Sequence, residues 1–163
     1  MKKLFFETTK EDRLFVIPVT LVFVAALIVT GLDFIVLQKM VYHFGAVNAL
    51  GLFLFVIGVA IRALGKRTLG EYYAYGLRIL PNHKLVKHGI YRHIRHPITL
   101  AALIYGAGIP LFFSSLYGFI VMLAMIPFFL YRIEIEEKML IEKFGEEYRE
   151  YMKHTKKIIP FVY

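Results

Sequence analysis

The chain has 163 residues, of which 58% are hydrophobic, a share too high for a soluble domain of this length to bury. Its formal charge of +8 collects in blocks beside long uncharged runs, so membrane topology accounts for the basic residues without a nucleic-acid partner. Because the chain contains no cysteine, disulfides, thiolate catalysis and cysteine metal sites are excluded.

The first half of the chain contains two long apolar runs. The first covers residues 14–37, a length that favours a retained membrane helix over a cleaved signal peptide. The second covers residues 44–64. Gly51 and Gly58 lie seven positions apart in this run, so they share one helix face and predict close contact with another helix.

Two shorter apolar runs follow, at residues 98–113 and 116–131. Each corresponds to roughly 24 Å of helix, slightly less than a hydrocarbon core of about 30 Å. Ser114 and Ser115 separate the two runs. The sequence therefore predicts a tight helical hairpin that crosses the bilayer, with local thinning of the membrane.

The tail from residue 133 to 154 repeats apolar residues at helical spacing, which predicts an amphipathic helix, and Pro160 ends the segment. The chain as a whole is therefore predicted to be an all-α integral membrane protein with about four transmembrane helices. We expect one membrane domain, with the following parts: two N-terminal spans (1–64), and a core (65–163) formed by the hairpin (97–132) and a cytosolic C-terminal helix (133–155).

The distribution of Lys and Arg predicts the orientation of the spans. Four of these residues precede the first span, one lies in the 38–43 loop, eight lie in the 62–96 segment and seven follow the fourth span. Positive charge favours the cytoplasmic side. Both termini and the 62–96 segment are therefore predicted to be cytoplasmic.

Polar segments stand at both ends of the predicted hairpin, at 83–97 and 132–137, and the hairpin brings its ends together into one site at the membrane surface. The first segment contains four histidines, but their spacing does not favour a metal site, and an interfacial loop that contacts anionic lipids is an alternative. Arg132 and Glu136 share a helix face, either as a surface ion pair or as ligand-binding groups. Periodicity alone leaves both interpretations open.

An ordered set of motifs spans residues 69–160 and resembles the isoprenylcysteine carboxyl methyltransferase family and its phospholipid methyltransferase relatives. The individual motifs are short, but their order around the hairpin is specific. They are Leu69-Gly70, His83-x-Leu85-Val86, Gly89-x-Tyr91, Arg95-His96-Pro97, Arg132-x-x-x-Glu136-Glu137, Phe144-Gly145, Glu147-Tyr148, Tyr151 and Pro160.

The resemblance implies a membrane enzyme that binds S-adenosyl-L-methionine at its cytosolic face and methylates a lipophilic or prenylated acceptor among membrane lipids. It assigns Arg132 to catalysis, as the group that holds the substrate, and implies no metal. The residues that it implies for cofactor binding are His83, Lys84, Leu85, Val86, Tyr91, His96, Pro97, Ile98, Thr99 and Glu136.

The chain departs from the family pattern at Thr99, where a tyrosine is usual. Tyr105 lies too far along the predicted helix to fill the same volume directly, whereas Tyr72, Tyr73 or Tyr75 could reach it from the preceding loop. The alternatives to carboxyl methylation are a phospholipid N-methyltransferase that holds a lipid phosphate on Arg132, a nicotinamide-dependent sterol reductase, and a non-enzymatic membrane scaffold or lipid-binding protein.

Overall fold

The computed structural model describes residues 10–41, 43–73 and 84–158, and within these ranges the regular structure is helical. Two 3₁₀ turns, Gly70–Tyr72 and Gly89–Arg92, lie on either side of the undescribed segment. The longer helices are α1 (Lys10–Leu32, continued by a π-helix at Asp33–Leu37), α2 (Ala46–Leu69), α3 (Pro97–Phe112), α4 (Leu116–Leu123), α5 (Ile126–Phe144) and α6 (Glu146–His154).

Three helical stretches among the described residues are long and apolar enough to cross a membrane: Leu14–Leu37, Ala46–Tyr72 and Leu116–Phe144. The α3 helix is also apolar but has only 16 residues. Large apolar side chains on α1 and α2 are exposed, for example Leu21 at 65% and Phe53 at 60%. Lipid covers such surfaces, which is consistent with an integral membrane protein.

The α2 and α3 helices pack closely along a row of glycines on α2. A Cβ atom on Gly51 would overlap the backbone nitrogen of Phe112, and one on Gly58 would lie 2.7 Å from the Tyr105 nitrogen. The contact predicted for these two glycines is therefore confirmed. Gly65 extends the row by another seven residues and faces Ile98.

The turn between the third and fourth apolar runs lies where the two serines predict it. The α3 helix ends at Phe112, and Ser114 adopts a positive φ of 53° in the turn. The Ser115 hydroxyl then accepts a hydrogen bond of 3.0 Å from the Gly118 backbone, which caps the start of α4.

The segment predicted as one amphipathic helix at 133–155 is not a single separate helix, although α6 ends at His154, close to the predicted end. The fourth apolar run breaks between α4 and α5, just before Pro127, which has no backbone N–H to continue the helix. From Ile126, α5 continues without interruption past residue 133, because the change from apolar to polar side chains does not disturb backbone hydrogen bonding. Gly145, with φ of 56°, separates α5 from α6. The second span also differs, since α2 reaches Leu69 rather than residue 64.

Candidate active site

The C-terminal segment, residues 155–158, pairs with the loop that precedes α3. The Arg95 backbone nitrogen donates to the Lys156 carbonyl at 2.8 Å, and the His96 nitrogen donates to the Lys157 carbonyl at 3.0 Å. In return, the Lys156 nitrogen donates to the His93 carbonyl at 3.2 Å. These bonds hold the chain end against the start of α3 and fix the backbone on which His96 stands.

The Arg95 side chain joins three elements at this end of the molecule. Its Nε donates to Glu137 Oε1 on α5 at 2.8 Å, and both side chains are less than a tenth exposed. Its Nη1 donates to the Met152 carbonyl of α6 and to the carbonyl and hydroxyl of Thr155. A guanidinium at the carboxyl end of a helix also offsets the negative end of the helix dipole.

His96 lies between two carboxylates of α5. Its Nδ1 is 3.3 Å from Glu136 Oε2, and its Nε2 is 3.4 Å from Glu137 Oε1. Burial alone lowers the pKa of His96, but hydrogen bonds from the ring to Glu136 and Glu137 outweigh burial and raise the pKa above its ordinary value of 6.5. The site therefore favours the imidazolium, which donates from both nitrogens.

Two tyrosines of α6 lie beside this cluster, with ring centroids 5.8 Å apart. The Tyr151 hydroxyl donates to the Tyr91 carbonyl at 2.5 Å, which ties α6 to the loop before α3. Burial raises the pKa of Tyr151 to about 12, so its hydroxyl stays a donor at neutral pH. Tyr148 is only 1% exposed, and its hydroxyl has no hydrogen-bond partner among the described residues.

A cavity of about 370 Å³ lies at this end of the bundle, and α1, α2, the pre-α3 loop, α3, α5 and α6 all contribute to its wall. This volume is within the range of about 300–1,000 Å³ that is usual for small-molecule sites. The structure brings eight of the residues singled out from the sequence together in its lining: Leu85, Val86, Tyr91, His96, Ile98, Thr99, Arg132 and Glu136.

Two of the singled-out residues that the structure describes, Lys84 and Pro97, are not part of this lining. Lys84 is exposed in the pre-α3 loop, and Pro97 is buried as the first residue of α3. Pro97 therefore has the structural role of starting the helix. His83 lies outside the described residues.

Sequence reasoning missed Arg62, which lines the cavity from α2. Its position carries a signal, because Arg62 follows Gly58 by four residues and precedes Gly65 by three, which places it on the glycine face of the helix. Phe15 of α1 was missed too, and no motif marks it. The Arg132 Cζ atom lies 4.6 Å from the Phe15 ring centroid, a cation–π contact that orients the guanidinium.

The cavity that Thr99 lines also contains aromatic rings. None of these rings stands at position 99, where the family usually has a tyrosine. They include Tyr105 of α3 and, from the 3₁₀ turn after α2 and the residue that follows it, Tyr72 and Tyr73. Thr99 itself is 8% exposed. The cavity wall therefore contains ring surface near the position at which the chain departs from the family pattern.

Comparison with known proteins bears on the function of this cavity. The sequence model of the isoprenylcysteine carboxyl methyltransferase (ICMT) family matches residues 49–142, more than half of the chain. This chain belongs to the ICMT family. The resemblance read from the motifs is thereby confirmed, and the match includes the pre-α3 loop, the hairpin and the cavity-facing part of α5.

Relatives within the ICMT family include a probable protein-S-isoprenylcysteine O-methyltransferase of Oryza sativa subsp. indica, 34% identical over 119 residues, which are 71% of this chain and 62% of the relative. The protein-S-isoprenylcysteine O-methyltransferase of Saccharomyces cerevisiae is 32% identical over 118 residues, 71% of this chain and 49% of the relative. The chain thus spans about half to three-fifths of these proteins.

The fold matches a solved structure described as the eukaryotic intramembrane Ras methyltransferase ICMT. The TM-score is 0.78 at 24% sequence identity, and the match covers 90% of this chain and 53% of that one. The helical arrangement is therefore an ICMT-like membrane fold.

Proposed function

We propose that this protein transfers the methyl group of S-adenosyl-L-methionine to the carboxylate of an isoprenylcysteine-like, lipophilic acceptor at the membrane surface. One observation carries the proposal: Glu136, Arg62 and Arg132 line a single cavity in a chain of the ICMT family. Acidic and basic side chains in one cavity suit two ligands of different charge. Family membership favours a methyl donor and a carboxylate as these ligands.

The cavity fits the methyl donor in size and in chemistry. Leu85 and Val86 supply apolar wall against which an adenine ring can pack, while the Glu136 carboxylate can accept hydrogen bonds from hydroxyl or ammonium groups. The His96 imidazolium holds that carboxylate at 3.3 Å and so fixes its direction. When bound, S-adenosyl-L-methionine supplies an electrophilic methyl group on a sulfonium.

The two arginines suit the acceptor. A guanidinium binds a carboxylate through two parallel hydrogen bonds, and Arg132 is already oriented by its contact with Phe15. A carboxylate needs no general base, because it is an anion at neutral pH. The protein then has to align the carboxylate with the methyl group and to exclude water. Alignment can lower the reaction barrier by roughly 7–11 kcal/mol in favourable cases.

The topology we propose has four crossings, with both termini and the cavity on the cytoplasmic side. The support is the Lys and Arg distribution together with α3, an apolar helix of 16 residues that packs along α2. A reporter that is active only outside the cytoplasm should give signal when fused at residue 41 and none at residue 80. The reverse pattern would contradict the orientation.

Separate substitutions of the two α5 residues test the division of labour in the cavity. Arg132→Ala should leave binding of S-adenosylhomocysteine nearly unchanged and lower kcat/KM about 30-fold or more, because truncating one partner of a buried charge pair costs roughly 2–5 kcal/mol. Glu136→Ala should weaken nucleoside binding itself. The measurements are titration calorimetry and transfer of a radiolabelled methyl group.

The matched control is Lys138→Ala, which removes an exposed cation from the same helix and should alter neither quantity. Normal turnover in Arg132→Ala would show that its charge serves the membrane interface and not the acceptor.

A further inference from the structure

The Tyr148 hydroxyl is the one buried side-chain oxygen or nitrogen in the described part of the chain that has no hydrogen-bond partner. Tyr148 lines the cavity and is 1% exposed, so water does not solvate the hydroxyl from the surface. A buried hydroxyl without a partner costs free energy, and native structures rarely keep one without a reason. A ligand group in the cavity would remove this cost.

The neighbouring polar groups differ from this hydroxyl, because each of them makes a hydrogen bond within the chain. Tyr151, one turn away on α6, donates to the Tyr91 carbonyl at 2.5 Å. The Thr155 hydroxyl donates to the Tyr151 carbonyl at 2.7 Å, and Arg95 donates from its Nε and Nη1 atoms. The fold thus satisfies the polar groups around Tyr148 from within the chain.

The charges beside Tyr148 indicate which kind of ligand group it meets. Glu136 and Glu137 lie close enough to act electrostatically on the hydroxyl, and Arg95 partly offsets them. The Arg95 guanidinium is committed to Glu137 and to the carbonyls at the end of α6. Two carboxylates disfavour an anionic ligand group here, and a neutral hydroxyl or ring nitrogen offers a lone pair to the Tyr148 O–H, which an ammonium group does not.

We propose that the Tyr148 hydroxyl hydrogen-bonds a neutral polar group, a hydroxyl or ring nitrogen, on the nucleoside half of the methyl donor. This inference rests on the proposed function and adds to it a binding residue on α6. It places the nucleoside half of the methyl donor beside α6, and it leaves Arg62 and Arg132 to the acceptor.

The test compares the parent protein with Tyr148→Phe, which removes only the hydroxyl. Two probes are titrated into detergent-purified protein: S-adenosylhomocysteine, and 5′-methylthioadenosine, which lacks the amino-acid tail. Tyr148→Phe should raise the Kd of both probes by a similar factor, about 5- to 10-fold, as expected for the loss of one hydrogen bond. Tyr117→Phe, exposed at the start of α4, is the matched control and should leave both Kd values unchanged.

The melting temperature without ligand provides a second readout. Loss of a hydroxyl with only a structural role would lower the melting temperature, whereas the proposal predicts no decrease. Tyr148→Phe should melt at or above the temperature of the parent, because it removes an unsatisfied buried group, whereas Tyr151→Phe should melt below it. A fall in melting temperature for Tyr148→Phe equal to that of Tyr151→Phe would overturn the proposal.

Three binding outcomes separate the remaining possibilities. Unchanged Kd values in Tyr148→Phe, with normal binding by the parent, refute this inference alone. A loss confined to S-adenosylhomocysteine refutes it as well, because the contact would then be to the amino-acid tail. A parent that binds neither probe refutes the proposed function, and this inference with it.

Discussion

Along the α2–α3 interface two backbones meet at Gly51, Gly58 and Gly65, where an added side chain would collide with the opposite helix or crowd its side chains. At the polar end, by contrast, the chain is held by long charged side chains, chiefly Arg95 and Glu137, and by backbone pairing with the C-terminal segment. The first region depends on the absence of side chains, and the second depends on the pairing of its buried charges.

The difference follows from the surroundings of each region. Lipid tails are as apolar as a leucine side chain, so helices in a bilayer gain little from burying apolar surface and associate by close van der Waals contact. A buried charge, in contrast, is tolerated only when it is paired and hydrogen-bonded. The two regions should therefore respond to substitution in different ways and by different amounts.

The largest expected effect is the loss of Arg95 from the polar end. Arg95→Ala leaves Glu137 buried with fewer partners and frees the carbonyls of Met152 and Thr155, so we expect a loss of roughly 3–5 kcal/mol in unfolding free energy. Arg92→Ala, which removes an exposed arginine from the same loop, should cost little. Unfolding in detergent micelles measures both, and equal losses would contradict the account of this cluster.

The next effect breaks the glycine interface. Gly51→Ala forces a methyl group against the Phe112 backbone, and overpacking of this kind typically costs about 1–3 kcal/mol. Gly31→Ala is the control, because nothing lies within 4 Å of its added methyl group and alanine favours helix. A Gly51→Ala protein as stable as Gly31→Ala would show that the helices do not pack as closely as described.

A smaller effect is the pH dependence contributed by His96. Its pKa is raised in the folded protein, so its contribution to stability is complete below about pH 6.5, the unfolded value, and is lost as pH rises through the folded pKa. The slope is at most about 1.4 kcal/mol per pH unit. His96→Gln should remove this slope from melts recorded between pH 6 and 9, whereas His93→Gln, exposed in the same loop, should retain it. An unchanged slope in His96→Gln would assign the pH dependence to other groups.

The smallest effect is expected at an exposed ion pair of the same region. Lys87 Nζ lies 2.7 Å from Glu147 Oε1, with side chains 42% and 56% exposed. Water and salt weaken such a pair, so Lys87→Ala should change stability by about 0–1 kcal/mol. A loss as large as that of Arg95→Ala would mean that burial is not what distinguishes the two ion pairs.

The sequence predicted the α2–α3 interface because the glycines repeat at helical spacing. This pattern can be recognised without knowing which helix packs against it. The Ser114–Ser115 turn was accessible for a similar reason, since it interrupts an apolar run. The start of α5 was not predicted, because the break just before Pro127 lies inside an apolar stretch. The pairing of Arg95 with Lys156 joins positions 61 residues apart in the chain, which leaves no periodic signal.

The candidate site was predicted largely from the family motifs. These motifs identify His96, Arg132 and Glu136 but do not show which of them are in contact. The structure adds that His96 bridges two adjacent carboxylates and that Arg62 reaches the same cavity from α2. The roles assigned to these residues in binding and catalysis stay predictions. Tyr148 stood in a motif too, but only the missing hydrogen-bond partner distinguishes it from Tyr151, which is also buried.

The most direct test of the proposed function is transfer of a radiolabelled methyl group from S-adenosyl-L-methionine to a farnesylated cysteine derivative with a free carboxylate, by purified protein in lipid vesicles. A methyl ester releases labelled methanol in mild base, whereas an N-methyl group does not. The account predicts base-labile label that depends on the parent protein and is lost in Arg132→Ala. Label found only on lipid amines, or no label with protein that binds S-adenosylhomocysteine normally, would contradict it.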